Sequence, residues 1–477
     1  MRAPLAEAVD AALAAGLAHY APPGHKRKPA LVGDGPLAAD ITLLTGVEDQ
    51  WSSHGLLRAA EAGVARAWHG DFARISVHGS TLANQAALLA VARPGGSLVV
   101  SRAAHKSVLA GLVLSGLEPV WVVPEVHDER GLILTQRPDR VAAALATATR
   151  PCGVFVVEPS YAGVLSDVPA LAAAAHGAGV PLLVDQAWAA HFGFHPALPP
   201  GALRQGADVM ITSLHKTLAA FSQGAALVAR TGAHADPGRL AAAFDGLCTT
   251  SPSAMIQASV DRARAQMQAH GAALLEAALR LAADLRPALS ALPGVRVVDE
   301  TWVQSGGVGG WDPLKLVIEV SETGHDGRVL ARRLRAAGVQ LAMADSDHLI
   351  ALLSIGDDAG AHARLVAALR DGLAVAPGPS PAPPPPPRWR GGLPEAVLTP
   401  RDAFFRPSRI VSAERAAGEI SAEAIASYPP GIAEVAPGER LEAERLDYLR
   451  ALAAAGVRIV GCADPTLGSL RVLSASP

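Results

Sequence analysis

The sequence predicts an α/β protein with a mainly parallel sheet, followed by a smaller α+β unit and a separate C-terminal region. Three observations carry this expectation. From about residue 74 to 230, short β-rich runs alternate with Ala/Leu-rich helical stretches, the pattern of successive βα units. Those runs are apolar throughout rather than alternating, as strands covered on both faces by helices must be. A proline run closes the pattern: APGPSPAPPPPPRWRGG at 376–392 would hold an extended, semi-rigid stretch and marks a linker.

Taken in order, MRAPLAEAVDAALAAGLAHYAPPGHKR opens the chain. It has acidic residues within its apolar stretch and no uninterrupted apolar core, so it reads as an amphipathic helix rather than a signal peptide. Strands are expected at RISV near 74, SLVVSR from 97, VWVV from 120, VFVV from 154, PLLVDQ from 181, DVMITS from 208 and AALVAR from 225. Residues from about 254 to 290 read as a long helix followed by another. VRVVDE, LKLVIEV, VQLAMAD and HLIALLS then read as strands of the smaller unit, ending near 375. The last part of the chain is expected to hold helices around ERAAGEISAEAIASY and ERLEAERLDYLRALAAAG, joined by the turn-forming YPPGI. The division that follows is 1–30, a helical segment; 31–255, a large domain; 256–375, a small α+β domain; 376–392, the linker; and 393–477, a C-terminal domain.

Composition bounds the function. The 477 residues are 50% hydrophobic and 18% charged, enough to bury a large core, and the formal charge of -3 lacks the basic footprint of a dedicated nucleic-acid binder. Cys152, Cys248 and Cys462 are odd in number, far apart and never in CxxC spacing, so neither a disulfide framework nor a zinc cluster is expected. No window holds about 18 consecutive apolar residues. The expectation is a soluble cytoplasmic protein.

Four motifs bear chemistry. In VHGSTLANQ, Gly79, Ser80 and Thr81 open a helix whose unpaired amides suit a phosphate; an ordinary helix cap is the alternative. In SRAAHKS, His105 follows a strand and opens another helix, placed either to stack on a flat cofactor ring or to lie capped at the surface. PLLVDQAW ends an apolar strand on Asp185. A carboxylate there needs a cationic partner, for which a protonated pyridine nitrogen and an arginine both serve. The nearby pair His191 and His195 lacks the further ligands of a metal site, so no metal is expected. In ITSLHKTLAAFSQG, Ser213, His215 and Lys216 stand just beyond a strand. The lysine can form a Schiff base with an aldehyde, or simply be a solvated loop lysine. A phosphate cup, a ring-stacking residue, a pyridinium carboxylate and a Schiff-base lysine together describe a site for pyridoxal 5′-phosphate (PLP).

With these residues in view, the chain resembles the PLP-dependent ornithine/lysine/arginine decarboxylases over nearly its whole length. Besides SLHKT and DQAW, the likeness includes PPGHK at 22–26, Asp40-Ile-Thr42, Gly46-Val-Glu-Asp49, EPSYAGVLSDV at 158–168, TTSPS at 249–253, DPLKLVI at 312–318 and TGHDG at 323–327. LTPRDAFF at 398–405 and ISAEAIASYPPGIAEVAPGER at 420–440 are its most diagnostic parts, since generic aminotransferases of the same fold lack them. The resemblance implies a PLP fold type I (aspartate aminotransferase-like) large domain, a small domain and a C-terminal decarboxylase domain. It implies Lys216 as the Schiff-base lysine, Asp185 against the pyridine nitrogen, His105 against the ring face, and Ser80, Thr81, Ser213 and His215 around the phosphate. It also implies a homodimer or higher homo-oligomer with active sites at the interface, which Ser222 or TTSPS would complete. No membrane or nucleic-acid partner is implied.

The implied reaction releases CO2 from arginine, lysine or ornithine and yields an amine, a polyamine precursor. Glu48, Asp49 and Trp188 are candidates to receive the cationic side chain. The sequence departs from the family pattern at Trp188, where many members carry histidine, and at Leu43 and Trp51-Ser52-Ser53-His54. It resembles the shorter, biosynthetic type that starts at the PLP module, which favours arginine. An aminotransferase or carbon–sulfur lyase on the same fold, and a PLP-binding regulatory subunit without turnover, are the competing readings.

Overall fold

The computed structural model describes residues 2–14, 40–41, 55–127, 132–299, 309–377, 392–428 and 431–474. PPGHK, residues 42–54 with Leu43, Glu48, Asp49 and Trp51–His54, and most of the proline run lie outside them. The fold is α/β with a mostly parallel central sheet, as the apolar runs predict. The chain forms two compact units. One comprises Met1–Val91, Pro181–Ala277 and Ser354–Gly356, the other Ala92–Val180, Ala278–Leu353 and Asp357–Pro477.

In the first unit the strand order is Phe72–Ser76, Ala225–Ala229, Val209–Thr212, Leu182–Asp185. The last two run parallel, with Asp185 opposite Ile211, and the first two pair antiparallel from Phe72↔Ala229 to Ser76↔Ala225. Leu182, Leu183 and Val184 are fully buried, each stabilising the sheet by about 1.5–3 kcal/mol. The helix Gly79–Val91 buries Leu82, Ala83, Ala86, Ala87 and Leu88. At the start of the chain, helix Pro4–Ala14 buries Leu5, Ala6 and Val9. Its leading amides, Leu5 N and Ala6 N, donate to Asp261 Oδ2 at 3.0 and 3.4 Å. Asp261 also pairs with Arg264, so a fully buried carboxylate is satisfied from two sides.

In the second unit, Ser97–Ser101 pairs in parallel with Glu118–Val122 and with Pro151–Val157. A four-stranded antiparallel sheet follows in the order Met343–Ala344, His348–Leu352, Lys315–Glu319, Arg296–Val297. The C-terminal region packs Ile425, Val435, Leu446, Leu449, Ile459 and Val472 into a core of its own. Helix Ala443–Ala454 covers strands Ile432–Val435, Ile425–Tyr428 and Arg458–Val460.

Two expectations are corrected. Residues 254–290 form a single helix, Ala254–Ser290, which runs through Pro287 in its last turn. The stretch ERAAGEISAEAIASY is not helical. A short 3-10 turn at Ala413–Arg415 gives way to Gly418 at φ +87° and then to the strand Ile425–Tyr428. Distant partners decide this: Glu423, buried, accepts the amides of Ala463 and Arg471 at 2.6 and 2.9 Å.

Beyond Pro151–Val157, buried Glu158 accepts the Ser166 amide through both oxygens, at 2.9 and 3.0 Å. Burial outweighs these bonds and pushes the carboxyl up to about 8. From the ordinary carboxylate range to about pH 8, the folded chain therefore holds a proton that the unfolded chain has released. Stability falls as pH rises through that window. Glu158→Gln is expected to flatten the slope and raise the unfolding midpoint near the alkaline end. Urea unfolding across that window checks it, and identical slopes for both proteins would show that Glu158 is ionised when folded.

Among the described residues no helix is long and apolar enough to cross a membrane.

Candidate active site

The first unit gathers most of the predicted residues at the ends of two parallel strands, where open α/β sheets leave a crevice for ligands. Asp185 is the last residue of Leu182–Asp185 and is buried. Its Oδ2 accepts from Asn84 Nδ2 at 2.8 Å and its Oδ1 from Ala187 N at 3.0 Å, so the carboxylate is aimed from two sides. Ser80 lies one helical turn before Asn84, on the same helix face. Its Oγ stands 2.6 Å from Ser213 Oγ. One face of helix Gly79–Val91 thus meets both strand ends. Gly79 begins that helix at φ +67° with open space where a Cβ would stand, and Thr81 beside it is exposed.

Lys216 sits on the short helix Leu214–Thr217, just past strand Val209–Thr212. Its Nζ lies 3.8 Å from the centroid of the Trp188 ring. Burial draws the ammonium below the ordinary lysine range, and the nearby Asp185 carboxylate opposes that only in part. His215 places Nδ1 2.9 Å from the Gly224 carbonyl, and burial lowers its pKa. The Thr217 hydroxyl is buried with no hydrogen-bond partner among the described residues.

His105 belongs to the second unit. Its Nδ1 accepts from Ser107 N at 3.2 Å and lies 3.0 Å from Ser107 Oγ, so the proton of the neutral ring is on Nε2. His195 pairs with Glu276 at 3.0 Å, and buried His191 lies edge-on to Phe192.

One residue of the site is not legible in the sequence: Asn84, although its offset of four from Ser80 places it on the helix face that looks toward Asp185. Trp188, a candidate receptor for the substrate side chain, lays its ring over the Lys216 amine. The residues present fit PLP: a desolvated amine, a carboxylate anchored by a side-chain amide, and a hydroxyl pair beside a helix N-terminus with an unpartnered threonine hydroxyl nearby.

The family model for the Orn/Lys/Arg decarboxylase major domain matches residues 16–361, and that for the C-terminal domain matches 389–471. The chain belongs to the Orn/Lys/Arg decarboxylase family. Like that family it is a PLP-dependent carboxy-lyase that decarboxylates a basic amino acid, as the sequence motifs imply. The arginine decarboxylase of Bacillus subtilis is 31% identical, the match covering 94% of each chain. The constitutive lysine decarboxylase of Escherichia coli is 24% identical, over 90% of this chain and 72% of its own. The crystal structure of the lysine decarboxylase of Francisella novicida shares the fold of this Orn/Lys/Arg decarboxylase family member, with a TM-score of 0.82 and 20% identity over 99% of this chain and 81% of its own.

Proposed function

We propose that this carboxy-lyase acts on arginine, with Lys216, Asp185 and His105 as its catalytic residues. One observation carries the placement of the chemistry: Lys216 Nζ is desolvated beneath Trp188 while Asp185, which opposes its loss of charge, is held by Asn84. The choice of arginine is supported by the length and strength of the match to the B. subtilis arginine decarboxylase, against the weaker, partial match to the lysine enzyme.

When bound, PLP supplies an electron sink for the bonding pair left behind as the carboxylate departs as CO2. Lys216 would hold the cofactor's aldehyde carbon, for which its lowered pKa leaves more of the amine neutral near pH 7. Asp185 would hold a proton on the ring nitrogen, and Asn84 keeps the carboxylate in place to receive it. Ser80, Ser213, His215 and the first amides of Gly79–Val91, with Thr81, would hold the phosphate. His105 would brace the ring face. The proton that the substrate Cα must gain would come from Lys216 Nζ or a nearby histidine.

The same reading places the enzyme in the cytoplasm as a homodimer or larger homo-oligomer. Phe221 and Ser222, exposed on the loop after Lys216, and the TTSPS segment would face a sister chain. CO2 release from arginine, lysine and ornithine, measured in parallel on the holoenzyme, tests the substrate. We expect kcat/KM for arginine to exceed the others by about a hundredfold or more. Faster release from lysine or ornithine overturns the assignment.

A further inference from the structure

The segment from Arg102 to Gly116, which carries His105, is gripped by the C-terminal region at three points. Before His105, the guanidinium of Arg102 makes a two-pronged bond to Glu439, at 2.6 and 2.9 Å, and donates to the Glu434 carbonyl at 3.2 Å. Both side chains are almost wholly buried, and Glu439 Oε2 also accepts Ala436 N at 2.7 Å. A fork-to-fork pair of this kind fixes direction as well as distance. At His105 itself, Ile432 forms an isolated antiparallel bridge and Gly431 accepts the Lys106 amide at 3.1 Å. Gly431 has φ +87°, and a methyl added there would stand 3.5 Å from His105 Cδ2 and 3.1 Å from Tyr428 Cδ2. After His105, Arg401 donates to the Val113 and Leu114 carbonyls at 2.7 and 3.0 Å, satisfying the free end of helix Ser107–Ser115.

We propose that Arg102 and Glu439 are positioning residues for decarboxylation: their buried pair, with the Gly431–Ile432 contact, fixes the angle at which His105 is presented to the cofactor. This rests on the role given to His105 above. It also gives the C-terminal region a part in catalysis through contacts within one chain. The ring follows the backbone that carries it: local bonds such as Val108 N to the His105 carbonyl at 2.9 Å start the helix, and the three remote contacts tie that start to the C-terminal region.

Glu439→Gln keeps the shape of the pair, removes the carboxylate's charge and leaves the buried Arg102 guanidinium uncompensated. In the holoenzyme we expect kcat to fall about tenfold or more with KM changed less than twofold, and the visible circular dichroism of bound cofactor to weaken at equal occupancy. In the cofactor-free protein, hydrogen exchange should speed up at residues 102–108 and stay unchanged in 182–185 and 209–212. Gly431→Ala, which leaves the buried pair intact and crowds His105, should act in the same direction and serves if Glu439→Gln does not fold. If either variant speeds exchange or lowers the melting temperature while kcat and the dichroism per bound cofactor are unchanged, the pair is a strut and the proposal fails. His105→Ala separates the two readings. Should it leave kcat and dichroism unaltered, the role of His105 falls and this inference with it; should it alter them where Glu439→Gln does not, this inference alone falls.

Discussion

Lys216→Ala is expected to lose the imine absorbance of the holoenzyme and, with it, about 10^4-fold or more of kcat. The substitution removes an amine whose surroundings have been arranged to strip its charge: it is partly buried, sits against an indole ring and is drawn below the usual lysine range. Little stability should go with it. A desolvated ammonium gives the fold little, and Leu214 and Thr217, the buried residues of its short helix, are untouched. Borohydride reduction of the unmodified holoenzyme followed by peptide mapping should label the peptide containing residue 216. A label elsewhere, or turnover that survives in the alanine variant, removes Lys216 from the chemistry.

Asp185→Asn should leave the cofactor bound and lower kcat on the order of 10^3-fold, because the ring nitrogen loses the charge that keeps it protonated. The variant is nearly isosteric: its carboxamide oxygen can still accept from Ala187 N, as Oδ1 does now, and its NH2 can donate to Asn84 once that side chain turns its oxygen inward. The larger part of the damage should therefore be electrostatic. A second consequence has a definite sign. Asp185 now supports the charged form of Lys216, so its loss lowers that pKa further. In the cofactor-free variant, Lys216 should react faster with an amine-selective reagent near neutral pH than in the unmodified protein. A variant with near-normal kcat, or with a slower lysine, would show that the carboxylate does not act on these two groups.

Where the sequence could be read, the physics was local. Leu182–Asp185 and Val209–Thr212 are buried along their whole length, so their apolar runs announced both the strands and the ends from which Asp185 and Lys216 project. The misreading of ERAAGEISAEAIASY has the opposite cause. Its alanines and glutamates favour a helix by propensity, while its structure is imposed by strands Arg458–Val460 and Ser469–Leu473, some 30 to 50 residues away. Propensity yields to such pairing. The two helices expected over 254–290 are one, and Pro287, in its last turn, forgoes its own bond to the preceding turn without ending the helix. Asn84 shows a third limit: its spacing from Ser80 put it on the right face, but nothing local revealed that Asp185 would stand opposite.

Helix Pro4–Ala14 is tied to a carboxylate far along the chain. Leu5 donates to a carboxylate that comes 256 positions later in the chain, and at about 5–20 residues per second a ribosome needs roughly 13–50 s to cover that interval. Throughout that time the leading amides of helix Pro4–Ala14 have only water to meet them, and this half of the molecule cannot close around Asp261 until that interval has been translated.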